Sequence, residues 1–89
     1  MLFEVYSIRD AGAEFYGAPF YTRAKGQALR DFSRVVQDPQ TVLHANPEQY
    51  DLYYLGRFDD NSGKHDLLPT PQHVSKAIEH VKPETVVTP

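Results

Sequence analysis

The chain has 89 residues, a net charge of −3, 40% hydrophobic and 12% aromatic residues, and no cysteine. That is one domain with a modest core, burying somewhat over ~60% of its unfolded surface, and it excludes disulfides and thiolate metal sites. No apolar run approaches the ~18 residues of a membrane span, so the expectation is a cytosolic protein with no membrane partner.

Leu2 to Arg9 reads as a strand rich in β-formers. Asp10 to Ala13 is a turn, and Phe15 to Tyr21 a second strand interrupted by Gly17 and Pro19, which marks an edge or a bulge. The short gap favours an antiparallel hairpin.

Tyr21 to Asp38 is the long helix, with Thr22 as its N-cap and Pro39 as its stop. Ala24, Ala28, Phe32, Val35 and Val36 recur at helical spacing, with Leu29 widening the stripe. Arg23, Gln27, Arg30 and Arg34 line another side, and Lys25 joins Arg23 in the first turn. Cations there oppose the helix macrodipole, and Arg30 and Arg34 are like charges at i, i+4, each unfavourable by a few tenths of a kcal/mol. A chain that tolerates this is keeping the charges for a partner, or else presents an ordinary solvated face.

Pro39 to Gln49 is a loop in which Thr41 to His44 forms a helical turn. Tyr50 to Phe58 is the clearest strand: Tyr50, Leu52, Tyr54 and Phe58 are expected on one side, and Asp51, Tyr53, Leu55 and Arg57 on the other. Asp59 to Gly63 is a hairpin turn with Gly63 in a left-handed position, and Lys64 to Leu68 returns as a strand. Thr70-Pro71 opens a second helix with Val74, Ala77, Ile78 and Val81 as its stripe and Pro83 as its end. The order is β-β-α-β-β-α. The predicted fold is an α+β two-layer domain over residues 1–82, an antiparallel sheet with both helices on one face, followed by a flexible tail over residues 83–89. An open sheet edge could also pair with a second copy as a homodimer.

Four histidines, His44, His65, His73 and His80, show no metal-ligand spacing and read as surface residues. Asp59-x-Asn61-x-Gly63 fails the calcium-loop pattern, because Lys64 and Thr70 stand where glycine and glutamate are needed. No phosphate-binding loop or activated nucleophile is present. The expectation is a protein without cofactor, metal or catalytic residues, and not an enzyme.

The charge is uneven. Residues 1–37 sum to +1 and residues 38–89 to −4, so nucleic-acid binding has to come from a local patch or from stacking. Strand aromatics beside arginines are how many single-strand-binding sheets work. Candidate phosphate contacts are Arg23, Lys25, Arg30 and Arg34, extended by Arg9 and Arg57. Candidate stacking rings are Tyr6, Tyr16, Phe20 and Tyr21. The alternative is that Tyr and Phe are simply good strand residues.

The run from Phe20 through Lys25-Gly26-Gln27-Ala28 to Arg30 and Phe32, then Asp38-Pro39, resembles the small non-structural protein of gokushoviruses, single-stranded DNA phages of the Microviridae. Tyr53 to Asp59, Leu68 to Pro71 and Ala77-Ile78-Glu79 fit the same family's second half. The resemblance implies a non-enzymatic phage protein in the cytoplasm of the infected bacterium, DNA-binding or a counterpart of the microvirus protein C, which helps switch DNA replication to single-strand synthesis and packaging. Single-stranded DNA is the implied partner. An adaptor that docks on phage replication, procapsid or host replication proteins, with the arginines meeting an acidic surface, is the rival expectation.

Overall fold

The computed structural model describes residues 1–81; the expected tail over 83–89, and Pro83 as a helix stop, lie outside them. Five strands form one antiparallel sheet: β1 (Leu2–Asp10), β2 (Phe15–Tyr16), β3 (Phe20–Thr22), β4 (Tyr50–Asp59) and β5 (Lys64–Lys76). β1 and β4 lie in the centre, β5 flanks β4, and β2 and β3 share the other side of β1. Gly17, Ala18 and Pro19 split the expected second strand into those two pieces, since proline has no N–H for the ladder. Two helices, α1 (Lys25–Gln37) and α2 (Val42–Ala45), connect β3 to β4.

The fold is α+β, but the order is not β-β-α-β-β-α, because the helix expected after Thr70-Pro71 is absent. Gln72, His73, Ser75 and Lys76 instead pair with Tyr54, Tyr53, Leu52 and Asp51 of β4. Only Ala77–His80 turns, as a single 3-10 helix, and Ile78 and Val81 of the expected apolar stripe are exposed. Four residues, Leu68 to Pro71, swell outward between the pairs Gly56–Leu67 and Tyr54–Gln72. Pro69 and Pro71 cannot donate to a ladder, which explains why the swelling falls there.

The core lies between α1 and one face of the sheet. Ala28, Phe32 and Val36 of α1 are buried with Tyr6, Leu52, Leu43 and Ala77, and Ile8, Phe20, Leu29, Val35, Tyr50, Tyr54 and Val74 pack around them. Ala24, expected in the stripe, is exposed and takes the N-cap position with no side-chain cap bond. Thr22 stays paired with Glu4 in the sheet, and its hydroxyl donates to the Ala24 carbonyl at 3.0 Å. Thr41 caps α2, accepting from the His44 amide at 3.2 Å. Two histidines read as surface residues brace this layer. His44 Nδ1 lies 3.0 Å from the Val36 carbonyl, and His80 packs edge-on against Phe32 and sits 2.6 Å from the Ser75 hydroxyl.

One irregularity in β4 decides which residues share a face. Val5 pairs with Gly56 and Tyr6 with Tyr54, so Leu55 is an extra residue opposite β1. A one-residue insertion reverses the alternation beyond it. Phe58 therefore joins Tyr53 on the face away from α1, and Arg57 joins Tyr54 on the helix side, the reverse of the expected placement. Gly56 takes φ +139°, and a Cβ there would lie 2.4 Å from the Asp66 carbonyl oxygen. Gly63 takes φ +74° in the hairpin turn with open space around it.

Two substitutions probe this frame. Phe32→Ala is expected to cost about 3–5 kcal/mol in chemical denaturation, a large share of the stability of so small a domain. Gly56→Ala is expected to cost more than about 1 kcal/mol and more than Gly63→Ala, because a steric clash adds to the unfavourable φ.

Candidate nucleic-acid interface

Cross-strand partners project from the same face of a sheet. With Tyr6, Leu52 and Tyr54 under α1, the face away from the helix takes Phe3, Val5, Ser7 and Arg9 of β1 and their partners Phe58, Gly56, Tyr53 and Asp51 of β4. It also receives Tyr16 opposite Arg9 and Tyr21 opposite Val5. From β5 it receives His65 opposite Phe58, His73 opposite Tyr53, and Lys76 opposite Asp51.

The rings on this face form two groups. In one, Tyr53 packs edge-on against Tyr16 and against His73, each at 5.3 Å between centroids, and the Arg9 guanidinium lies 5.6 Å from the Tyr16 ring centre. In the other, Tyr21 meets Phe58 at 5.5 Å, Phe58 meets His65 at 4.6 Å, and the Tyr21 hydroxyl is 3.0 Å from His65 Nε2. Tyr16 and Tyr21 keep 42% and 45% of their surface exposed. Arg9, Asp51 and Lys76 make one cross-strand row, and His73 Nε2 lies 3.7 Å from Asp51. Among the described residues the face thus carries Arg9, Lys76 and two imidazoles against the carboxylate of Asp51.

The expected site residues divide among several places. Arg9, Tyr16 and Tyr21 lie on this open face. Tyr6 and Phe20 do not: they stack on each other at 6.0 Å on the helix side, where Tyr6 is 2% exposed and Phe20 is half-buried against the core. Arg57 is 3.3 Å from Glu4 on that same side. Arg30 and Arg34 are exposed on α1, away from buried Ala28, Phe32 and Val36, and Arg34 lies 3.8 Å from Asp31. Arg23 touches the Met1 sulfur. Lys25 lines a cleft of about 380 Å³ with Glu4, Tyr6, Tyr54 and Gln72. The helix arginines and the exposed rings therefore face opposite sides of the molecule.

Sequence reasoning missed Tyr53, Phe58, His65, His73 and Lys76 as members of the site. Tyr53 was legible from alternation along β4. Phe58, and with it His65 opposite, was hidden by the extra residue at Leu55, and His73 and Lys76 by the helix expected after Thr70-Pro71.

In the cleft, the Tyr54 hydroxyl donates to Glu4, which also pairs with Arg57. Burial, then the Glu4 carboxylate, hold the Tyr6 phenol above its ordinary value, and burial and the bond to Glu4 do the same for Tyr54. Among the described residues no group of three or more His, Cys, Asp or Glu side chains is placed to hold a metal, and no helix is long and apolar enough to cross a membrane.

The family model described as "Phage ORF5 protein" matches residues 3–80, which span α1 and nearly all of the sheet. The chain belongs to the phage ORF5 protein family. It is 40% identical over 63 residues to Protein ORF5 of Chlamydia phage 1, a gokushovirus, and the match covers 66% of this chain and 66% of that protein. The gokushovirus kinship carried by the Lys25 to Phe32 run is therefore shown. No solved structure matches the chain. Membership in the ORF5 family makes this a phage protein; the open sheet face lies within the matched span.

A raised phenol pKa means that the folded chain holds its proton more tightly than the unfolded chain. The associated stability is intact below the ordinary value of 10.0 and is lost as pH rises above it. The melting temperature is expected to fall as pH is raised through about 10, and Tyr54→Phe is expected to flatten that fall.

Proposed function

We propose that this ORF5 protein binds single-stranded DNA on the face of the sheet that α1 leaves open. The observation that carries the reading is the gathering of Tyr16, Tyr21, Tyr53 and Phe58 with His65, His73, Arg9 and Lys76 on that one face. Unpaired bases stack on such rings for about 1–3 kcal/mol each, whatever their sequence, while cations at the border neutralise phosphates. A duplex keeps its bases stacked inside and offers this face only its backbone, so single strands are favoured. The net charge of −3 restricts the attraction to the local patch, and the expected affinity is moderate.

Within an infected bacterium, a protein of this kind would engage displaced or newly made viral strands. That fits the part in replication and in the switch to single-strand synthesis that the gokushovirus resemblance implies. No catalytic step is assigned to it. Arg30 and Arg34 point away from the open face, and this favours a second reading for them alone: a contact with an acidic surface of a replication or procapsid protein.

Fluorescence anisotropy with labelled oligonucleotides at two ionic strengths tests the proposal. If Arg9 and Lys76 neutralise two phosphates, the logarithmic salt slope is expected near about −1.4. Arg9→Glu and Lys76→Glu are each expected to weaken binding about tenfold, and Arg30→Glu and Arg34→Glu to change it little. An affinity indifferent to salt, equal preference for duplex, or sensitivity confined to the helix arginines would overturn it.

A further inference from the structure

We infer that the open face grips a strand at two separate stacking bays with an unstacked gap between them, so that about three to five nucleotides fill it. This rests on the single-strand reading above and specifies the form of its ligand.

The first bay is Tyr16, Tyr53 and His73 with Arg9 beside them; the second is Tyr21, Phe58 and His65. Their places on β1 are marked by Ser7, opposite Tyr53, and Phe3, opposite Phe58. Four residues of strand put the bays roughly 13 Å apart. Between them runs the row of Tyr21, Val5, Gly56 and Leu67, in which Val5 is buried, Gly56 has no side chain and Leu67 is exposed. Val5 is only 1% exposed, and the Ser7 hydroxyl is spent on the Gly17 carbonyl at 2.8 Å. Gly56 cannot be replaced by anything larger without striking the Asp66 carbonyl. Tyr21 is rooted in this row, but its ring packs against Phe58 and His65 at 5.5 and 6.0 Å and belongs to the second bay, so the middle of the face has no ring of its own.

A strand stacked as in a duplex rises about 3.4 Å per nucleotide, and bases splayed onto separate rings lie further apart. About two to four internucleotide steps therefore cover the separation. The outer bases of the bound segment stack on protein, and the inner ones cross the floor without a partner ring. Each bay also contains an imidazole, and the first holds most of the positive charge, in Arg9 and nearby Lys76. The bound strand thus has one strongly held end and one held chiefly by stacking.

The test is a length series of oligothymidylates from two to ten nucleotides, followed by five-nucleotide strands with abasic sites at chosen positions. Affinity is expected to climb steeply up to about four nucleotides and then to grow only slowly. One abasic site in the centre is expected to leave binding within about twofold, and one at each end to reduce it about tenfold or more. Smooth growth with length together with equal loss at every abasic position would overturn the two bays while leaving single-strand binding intact. Failure of every oligonucleotide to bind would overturn the nucleic-acid reading itself, and the bays with it. The lesion is in the DNA, so the result does not depend on any variant folding.

Discussion

The structure depends on a one-sided burial. α1 supplies Ala28, Phe32 and Val36, the sheet answers with Tyr6 and Leu52, and these close the core. A chain of 89 residues has material for one such layer and little more. Covering one face of a sheet with the one long helix among the described residues leaves the other to be finished by its own side chains. Here that finish is aromatic, with rings packed edge to face, an arrangement that helps stabilise the sheet and is also able to receive planar ligands. Stability and proposed recognition thus share the same residues on that side.

Much of this was legible in the chain. The helix was readable because Ala28, Phe32 and Val36 repeat at its period, and the hairpin turn because Gly63 follows a run of turn-forming side chains. The cap at Thr41 declared itself as a hydroxyl ahead of an apolar turn. The second helix misled because Val74, Ala77, Ile78 and Val81 share the same spacing, while the ladder with β4 takes Gln72 to Lys76 for strand pairing. Long-range pairing overrode a local pattern, as is common for segments of weak intrinsic preference. Thr22 failed as a cap for a related reason: its backbone was already committed to β1.

The candidate surface was harder to read than the fold. It depends on which way each ring points, and a single extra residue at Leu55 exchanges Phe58 and Arg57 between faces. Alternation counted along β4 alone cannot register that change. Tyr6 and Phe20 were reasonable strand aromatics, and Tyr6 proved to be core with Phe20 packed against it; Tyr16 and Tyr21, of the same chemistry and nearby in sequence, proved to be surface. The arginines carry a similar lesson. A stripe seen on a helix shows that charges share a side, but not that the side faces the rings, and here it faces away. Kinship with Protein ORF5 of Chlamydia phage 1 adds the viral setting, whereas the assignment of surfaces rests on register.

The swelling from Leu68 to Pro71 has a consequence for how molecules meet. β5 forms the outer rim of the sheet among the described residues, the position from which strands of separate chains tend to zip together. Pro69 and Pro71 interrupt that rim with two backbone nitrogens that carry no hydrogen, set in a stretch pushed out of line. A neighbouring chain would have to skip this point or distort to continue the weave. Thr70-Pro71, which in the sequence has the form of a helix start, thus lies in the stretch that keeps this rim from offering one uninterrupted ladder.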